Sequence, residues 1–395
     1  MYLLERLVLQ ARVPGNRRDG VAALTINTIF LQFAAGMVGM FGVLFVYQLG
    51  TSILQGLLYV LVFFGLQRLF VGLFIPYVGD LISKVGYRRV MFVGIFALAL
   101  KLYFFTLVDI DTIWPLFPSF ILGAINIPAY YLAYHALFLD DNDDDRVGEQ
   151  IGFITMIGNF SQIASPLAAG VLVDAFGFSV MFTVSMVLLI FSVFPLLSMQ
   201  KHKRHKDLYS DKSVFAFINN KKEMSHSMIF WYLTAGIQAF FWPIYLFKVV
   251  GSYTSFGMIG SMAMVANSVA LYLTGRAYDK KPLNKMFWGS TVLVSATWIA
   301  RFISITPFTA GFSDIVNRLF SPFWWMKIRR NELLEGEKID SLVFGAAHEY
   351  LATLGYLLAL PLGFFVLKMT NFVWPWLIVP TVMGTFIASY LVKDI

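Results

Sequence analysis

The chain has 395 residues, of which 58% are hydrophobic, 17% aromatic and 13% charged. A soluble domain carries roughly 25% charged residues, and here mean hydropathy is +0.71, so a water-soluble globular protein is excluded. No cysteine is present, which removes disulfides and thiolate metal sites, and the net charge of +7 does not point to nucleic acid because the basic residues lie beside apolar runs rather than on a polar face.

The first ten residues place Tyr2, Leu3, Leu4, Leu7 and Val8 as a short amphipathic stretch on a membrane surface. Glu5 and Arg6 interrupt it, so the pattern predicts a retained first span and not a cleaved signal. Apolar runs of about 20 residues, the length that crosses a hydrocarbon core as a helix, then recur along the whole chain. They predict spans at 21–48, 54–78, 89–108, 113–138, 150–173, 178–199, 227–249, 253–276, 285–305, 308–326, 342–367 and 371–392. The expected fold is an all-α membrane protein of twelve transmembrane helices, with no room for a sizeable soluble domain.

Lys and Arg orient the spans. With both termini cytoplasmic, 24 of the 30 basic residues fall in inner segments. Lys248 and Lys368 lie near outer ends, and Arg68, Lys101, Arg301 and Arg318 lie within spans. The longest hydrophilic gap, 201–225, divides the chain into an N-terminal bundle (1–200), a cytoplasmic linker and a C-terminal bundle (226–395). Its basic run, Lys201 to Lys206, either holds anionic lipid headgroups or serves only to fix topology.

The two halves echo each other. After span two come Gly79, Asp80, Leu81, Ser83, Lys84, Gly86, Arg88 and Arg89; after span eight come Gly275, Arg276, Asp279, Lys280 and Lys281. Spans four and ten both carry Pro followed by paired aromatics, Pro128 with Tyr130 and Tyr131, and Pro322 with Trp324 and Trp325. Such internal symmetry marks transporters built from repeats. The chain resembles the major facilitator superfamily. The family's signature after span two reads Gly-x-Leu-x-Asp-Arg-x-Gly-Arg-Lys/Arg; Gly79, Leu81, Lys84, Gly86, Arg88 and Arg89 match or nearly match, and Ser83 stands where Asp is expected. The segment from Ser165 and Pro166 to Gly170 is similar to the family's Gly-Pro-x-x-Gly-Gly segment, with Gly softened to Ser or Ala.

The resemblance implies two pseudo-symmetric six-helix bundles around a central cavity. It implies a secondary active transporter that moves a small solute by alternating access. Gly79, Asp80, Ser83, Gly86, Arg88, Arg89, Gly275, Asp279 and Lys280 then form a gating motif, with Asp80 replacing the missing carboxylate, or else a basic turn that only sets topology. Spans three and nine are peripheral in that fold, so Lys101 and Arg301, near outer ends, are expected to snorkel to the interface.

Charge at membrane depth is costly and marks function. Arg68 lies mid-span in span two, with Gly65 and Gly72 on its face. Asp314 and Arg318 are one turn apart in span ten and are expected to pair. One deep arginine then favours an anion, on the cargo or on Glu349; a fixed structural ion pair is the competing reading. Asn126, Asn159, Gln162, Gln238, Asn267 and Asn317 fall mid-span on helices the fold turns inward. With Tyr130, Tyr131, Trp242 and Trp324 as walls, they outline a polar substrate site, and Trp242-Pro243 marks a break in span seven. Asp314, Glu349 and His348 are the candidate proton carriers; His348 is alternatively a satisfied interfacial hydrogen bond, and His135 is structural.

Asp141, Asp143 and Asp145 open like a calcium loop, but Arg146 occupies the position that needs Gly and Gly152 the one that needs Glu; no metal is expected. No nucleotide-binding loop, zinc pair or nucleophile elbow appears, so an enzyme is not expected and no cofactor is implied. The sequence therefore reads as a proton- or ion-coupled transporter of a small solute, and its deep arginines suit an anionic one. It is expected to be a monomer among lipids in a bacterial inner membrane. An efflux pump for amphipathic compounds, or a transport-inactive scaffold or sensor, remains the alternative.

Overall fold

The computed structural model describes residues 18–134, 147–197, 209–278, 284–336 and 338–392, with side chains at all of these except 18–25, 147–157, 275–278 and 284. Fourteen helices are seen among them: α1 (Arg18–Gln48), α2 (Ile53–Val85), α3 (Tyr87–Thr106), α4 (Leu116–Ile127), α5 (Val147–Phe176), α6 (Phe178–Leu197), α7 (Asp211–Asn220), α8 (Lys222–Phe240), α9 (Trp242–Val250), α10 (Tyr253–Tyr278), α11 (Asn284–Ile303), α12 (Pro307–Gly336), α13 (Ser341–Met369) and α14 (Ile378–Leu391). α4 runs on through a π-helical turn, Pro128–Leu132, and a 3-10 turn, Trp374–Leu377, leads into α14.

Nine helical segments among the described residues are long and apolar enough to cross a membrane. α12 is not one of them, because Asp314, Arg318, Lys327, Arg329 and Arg330 all lie along it. Large apolar side chains are exposed along stripes: Leu58, Val62, Leu69 and Leu73 share one face of α2, as a lipid-facing surface requires.

The helix boundaries follow the hydropathy pattern with two departures. α2 continues to Val85, and α12 continues to Gly336, well past the apolar run that ends near 326. The basic residues of that second stretch were expected in a loop. They extend the helix instead, because Arg329 and Glu332 pair at i, i+3. Span seven breaks as expected: α8 ends at Phe240 and α9 starts at Trp242, since Pro243 has no N–H to give the preceding turn. The amphipathic N-terminus, His135, the Asp141 to Arg146 turn, the 201–206 basic run, and Asp279 and Lys280 lie outside the described residues.

α1 to α6 pack among themselves, and so do α8 to α14. Between the two sets the main contacts are α5 with α10 and α2 with α13. The first is backbone-close. A Cβ added at Gly170 would meet the Tyr253 carbonyl, and one at Gly257 the Pro166 carbonyl. The Leu167 N–H donates to Ser261 Oγ at 3.1 Å across this seam. Small residues thus let two helices touch where larger ones would hold them apart. Rings close the seam elsewhere, Phe41 against Phe256 at 5.1 Å and Phe64 against Phe240 at 5.0 Å.

At the Gln48 end of the helices the seam carries polar clasps. Asp174 Oδ2 accepts the Thr254 N–H at 2.7 Å, and the Tyr253 hydroxyl donates to Gln48 Oε1 at 3.0 Å. Asp174, on α5, caps the first turn of α10 from the other set of helices. The Thr254 hydroxyl, aided by the Thr254 and Tyr253 amides and the Ser252 hydroxyl, holds the Asp174 carboxyl below its usual range. At the opposite end Tyr209 lies on Gly79, which only a glycine permits, and Glu335 accepts from Lys221 at 2.8 Å and Lys338 at 2.9 Å.

Gly257→Leu is expected to destabilise by about 1–3 kcal/mol through overpacking, read as a lowered thermal midpoint in detergent. Gly289→Ala, which meets nothing within 4 Å, is the near-neutral control. Asp174→Ala is expected to cost about 1 kcal/mol at neutral pH as a lost cap. A depressed carboxyl contributes fully above its ordinary pKa of about 3.9 and loses that contribution as pH falls through its lowered value. The thermal midpoints of wild type and variant should therefore converge below about pH 4; a gap that stays constant down to pH 2 would contradict the cap.

Candidate functional site

A cavity of about 490 Å³ lies between the two sets of helices. α1 contributes Gln32, Gly36, Gly39 and Met40; the π turn of α4 contributes Tyr131; α5 contributes Gln162 and Pro166. From the other set come Trp231, Thr234 and Gln238 of α8, Trp242 and Pro243 of α9, Gly260, Ala263 and Asn267 of α10, Trp298 of α11, Asp314, Arg318, Ser321, Trp324 and Trp325 of α12, and Tyr356 of α13. A smaller chamber of about 120 Å³ adjoins it, lined by Thr28, Tyr130, Tyr131, Tyr134, Gly158 and Asn159. Gln32 and Gln162 line both spaces and hydrogen-bond to each other between them.

The charged centre differs from the expected pairing. Asp314 is bonded to Arg301 and not to Arg318. Arg301 is fully buried, so it does not snorkel. Its guanidinium lies over the Trp298 ring at 4.6 Å and the Trp242 ring at 4.9 Å. The short α11–α12 connection brings the two helices side by side and sets the Asp314 carboxylate against the Arg301 guanidinium in a charge-assisted pair. Arg318 instead meets Gln238. Oriented with its oxygen toward α12, that amide accepts from Arg318 Nη2 at 2.9 Å, Nη1 at 3.1 Å and Nε at 3.2 Å.

Lys101 does not snorkel either. It is buried, bonded to Gln67 Oε1 at 3.2 Å and set near the rings of Phe63 and Phe105. Arg68 is half-buried, with its guanidinium 4.0 Å from the Tyr356 ring centre, behind the cavity wall and not in it. Asn126 donates to the Gly94 carbonyl at 2.9 Å and Asn317 to Thr297 Oγ1 at 2.7 Å. Both are turned out of the cavity, because a buried amide is best satisfied by a neighbouring helix. Tyr130 donates to Asn27 Oδ1 at 3.0 Å while lining the smaller chamber. Asn159, Gln162, Gln238, Trp242, Asn267, Asp314 and Arg318 all face one chamber or the other.

His348 belongs to a second buried cluster, toward the Gly79 end. Its Nε2 lies 2.7 Å from the Tyr232 hydroxyl, and its Nδ1 lies 2.5 Å from Glu332 Oε1 and 2.7 Å from Arg329 Nη1. Glu332 also pairs with Arg329 at 2.5 Å. Glu349 is buried beside this cluster, within electrostatic reach of Arg68 and Arg329. Glu332 and Arg329 were missed in the sequence because they follow the apolar run. The available signal was their i, i+3 spacing on a helix-forming stretch.

In the motif at the end of α2, Asp80 pairs with Lys84 on its own helix at 2.5 Å and does not reach across the seam. Ser83 donates to the Gly79 carbonyl at 3.1 Å, and Arg88 donates to the Leu197 carbonyl at 2.7 Å, closing the end of α6. Gly86 joins α2 to α3 at φ 87°, and Arg89 is exposed. Gly275 lies in the last turn of α10.

Breaking the Arg301–Asp314 pair by Arg301→Met should cost about 3–5 kcal/mol, because it strands a buried carboxylate. The double variant Arg301→Met/Asp314→Leu should recover much of that. Denaturant unfolding of the double-mutant cycle checks it, and strictly additive losses would contradict a direct pair.

The sequence profile of the Major Facilitator Superfamily matches residues 24–316. Among solved structures, a point variant of the E. coli fucose:proton symporter FucP aligns with a TM-score of 0.68 at 10% identity, covering 95% of this chain and 98% of that one. FucP in an outward conformation aligns with a TM-score of 0.68 at 11% identity over the same shares. At such identities the likeness shows the fold alone. Among curated proteins none matches the sequence significantly.

Proposed function

Because the chain belongs to the major facilitator superfamily, we propose that it is a secondary active transporter that carries a small anionic solute by alternating access, coupled to protons. In this reading it has twelve spans in two six-helix bundles, 1–200 and 226–395, joined by a cytoplasmic linker. Both termini are cytoplasmic, in a bacterial plasma membrane. The cargo site is the cavity on the seam, so that rocking of the halves exposes it to each side in turn.

The observation that carries the cargo class is Arg318. It faces the cavity, and its partner among the described residues is the neutral Gln238 amide. Asp314, the one carboxylate lining that cavity among the described residues, is already held by Arg301. The centre therefore has an excess positive charge in a low-dielectric wall of indoles, and a carboxylate or phosphate on the cargo would neutralise it. Gln32, Gln162, Asn159 and Asn267 supply neutral hydrogen-bonding groups for the rest of the solute. Asp314 is the nearest proton carrier to the cargo. Glu349 and His348 would relay protons toward the Gly79 end. FucP is a proton symporter, which favours the proton over other coupling ions.

A second reading has a specific basis. Trp231 and Trp325 stack at 5.9 Å on the cavity wall, which would suit a flat amphipathic compound being expelled.

Arg318→Gln should reduce counterflow of an anionic solute in proteoliposomes by about 10–100-fold, the worth of one charge-assisted hydrogen bond of about 1.5–3 kcal/mol. Its thermal midpoint should stay close to wild type. Undiminished anion counterflow by this variant would reject the assignment, and counterflow of neutral aromatic compounds instead would favour the second reading.

A further inference from the structure

Arg68 lies near the middle of α2, 15 residues after Ile53 and 17 before Val85, about 22 Å and about 25 Å from the helix ends at 1.5 Å per residue. Its stem cannot carry the charge to either interface. The Tyr356 ring of α13 covers one face of the guanidinium at 4.0 Å. Stacking leaves the edge of the group free, and the edge carries all five N–H donors. Among the described residues none of these donors has a hydrogen-bond or ion-pair partner. Glu349 acts on Arg68 only at a distance, an influence it shares with Arg329 and His348, and Lys101 adds a second buried cation within electrostatic reach.

The space beside that edge opens sideways. No residue of α2 lines either chamber. Gly65, one turn before Arg68, sits within the lipid-facing stripe of α2, three residues after Val62 and four before Leu69. A Cβ there would meet nothing within 4 Å, so the stripe has a notch at that level. One turn beyond Arg68, Gly72 faces Thr353 of α13, whose Cγ2 lies 3.6 Å from the place a Cβ would take. Thr353 is 3% exposed, and its hydroxyl has no partner. A guanidinium edge on one set of helices and an unanswered hydroxyl on the other thus flank a notch in the lipid-facing surface, and Leu354 and Leu358 carry the apolar wall on along α13.

We infer that the α2–α13 seam holds a lateral site for a long-chain carboxylate of the bilayer. The head group lies in the notch between Gly65 and Gly72, paired with the Arg68 edge and accepting from the Thr353 hydroxyl, and the chain stays in lipid against the exposed leucines. A planar carboxylate matches the guanidinium edge with two parallel hydrogen bonds, and it neutralises a cation that hydrocarbon otherwise penalises. The position selects the occupant. An anion from water would have to cross an apolar layer to arrive there. A phospholipid carries two chains on a glycerol backbone, too broad for a notch one glycine wide, whereas a single chain lets its head slip inward between two helices. The site is separate from the cargo cavity and does not depend on what is carried. Occupancy bridges one helix from each set, so the amphiphile ties membrane composition to the seam.

The test places the full chain in nanodiscs of neutral phosphatidylcholine with a photoactivatable long-chain fatty acid, its diazirine near the carboxyl end, and maps labelled peptides by mass spectrometry. Labels should concentrate on α2 and α13 and be competed by oleate, but not by methyl oleate, acetate or phosphatidylglycerol. Arg68→Gln should raise the oleate needed for half-competition by about tenfold or more, the worth of a charge-assisted hydrogen bond. Gly65→Leu fills the notch, has open space for its side chain and keeps the guanidinium; it should weaken labelling to a similar degree with a thermal midpoint near wild type. Competition in the wild type alone decides the matter should either variant fail to fold. Labelling spread evenly over the lipid-facing helices, or competition by methyl oleate, overturns a carboxylate site. Competition by acetate makes it a water-facing anion site, and competition by phosphatidylglycerol a phospholipid site; either result overturns the proposal.

Discussion

A polar group inside a hydrocarbon layer has no water to turn to, and every interior contact in this structure follows from that constraint. Lys101 is met by Gln67 and phenylalanine rings, Asn126 by the Gly94 carbonyl, and Asn317 by Thr297. Asn27 donates to the Ser192 carbonyl and accepts from Tyr130, tying three helices of the first set. These side chains are polar but committed, so they hold helices together and recognise nothing. Among the described residues, three buried N–H groups without an acceptor lie together, on Arg301 and Trp242, while single unpartnered atoms remain on Thr28, Asn331, Thr353 and Trp374. The contrast separates adhesive from recognition where composition cannot.

The same constraint shapes the seam. The deep ion pairs Arg301–Asp314 and Arg329–Glu332 each lie within one set of helices. The α5–α10 contact is built instead from small residues and carbonyls, with one backbone-to-serine hydrogen bond. Such a contact adheres by close packing, loses little when it slides, and leaves no stranded charge. The carboxylate that crosses the seam sits at its end, where water can replace it: Asp174 on the Thr254 amide of α10. Glu335, with Lys221 and Lys338, stays on one side of the seam. Exposed pairs contribute little each. The deep ion pair Arg301–Asp314, by contrast, joins α11 to α12 within one set of helices.

Much of this fold was legible as hydropathy. Apolar length gave the helices, and the basic gaps gave their ends to within a few residues wherever a loop is short. It failed where charge and helix coexist. The stretch after Trp325 reads as a cytoplasmic loop by its lysines and arginines, yet it is helical, and it carries Glu332 and Arg329 into the His348 cluster. The break at Trp242-Pro243 was legible because proline chemistry is local. Of the inward-facing amides, Asn159, Gln162, Gln238 and Asn267 reach a chamber while Asn126 and Asn317 do not. A residue's depth is written in its position along a span, but its facing is not. Arg301 shows the limit most clearly: its depth suggests snorkelling, and only the packing of α11 against α12 and α9 turns it inward, between two indoles.

That turn inward has a consequence for how binding is transmitted. Trp242 begins α9, just after the break in the α8–α9 unit, and it touches the Arg301 guanidinium. α9 also packs against α1 on the other side of the seam. A change in the ion pair is therefore felt by a side chain at a hinge-like break that bridges the two sets of helices. An interrupted helix bends at its break more readily than a continuous one, and Trp242 sits at that break. The chemistry at Arg301 and the geometry at Trp242 are in this sense one device: the residue that stacks on the cation is the residue at which the helix is free to move.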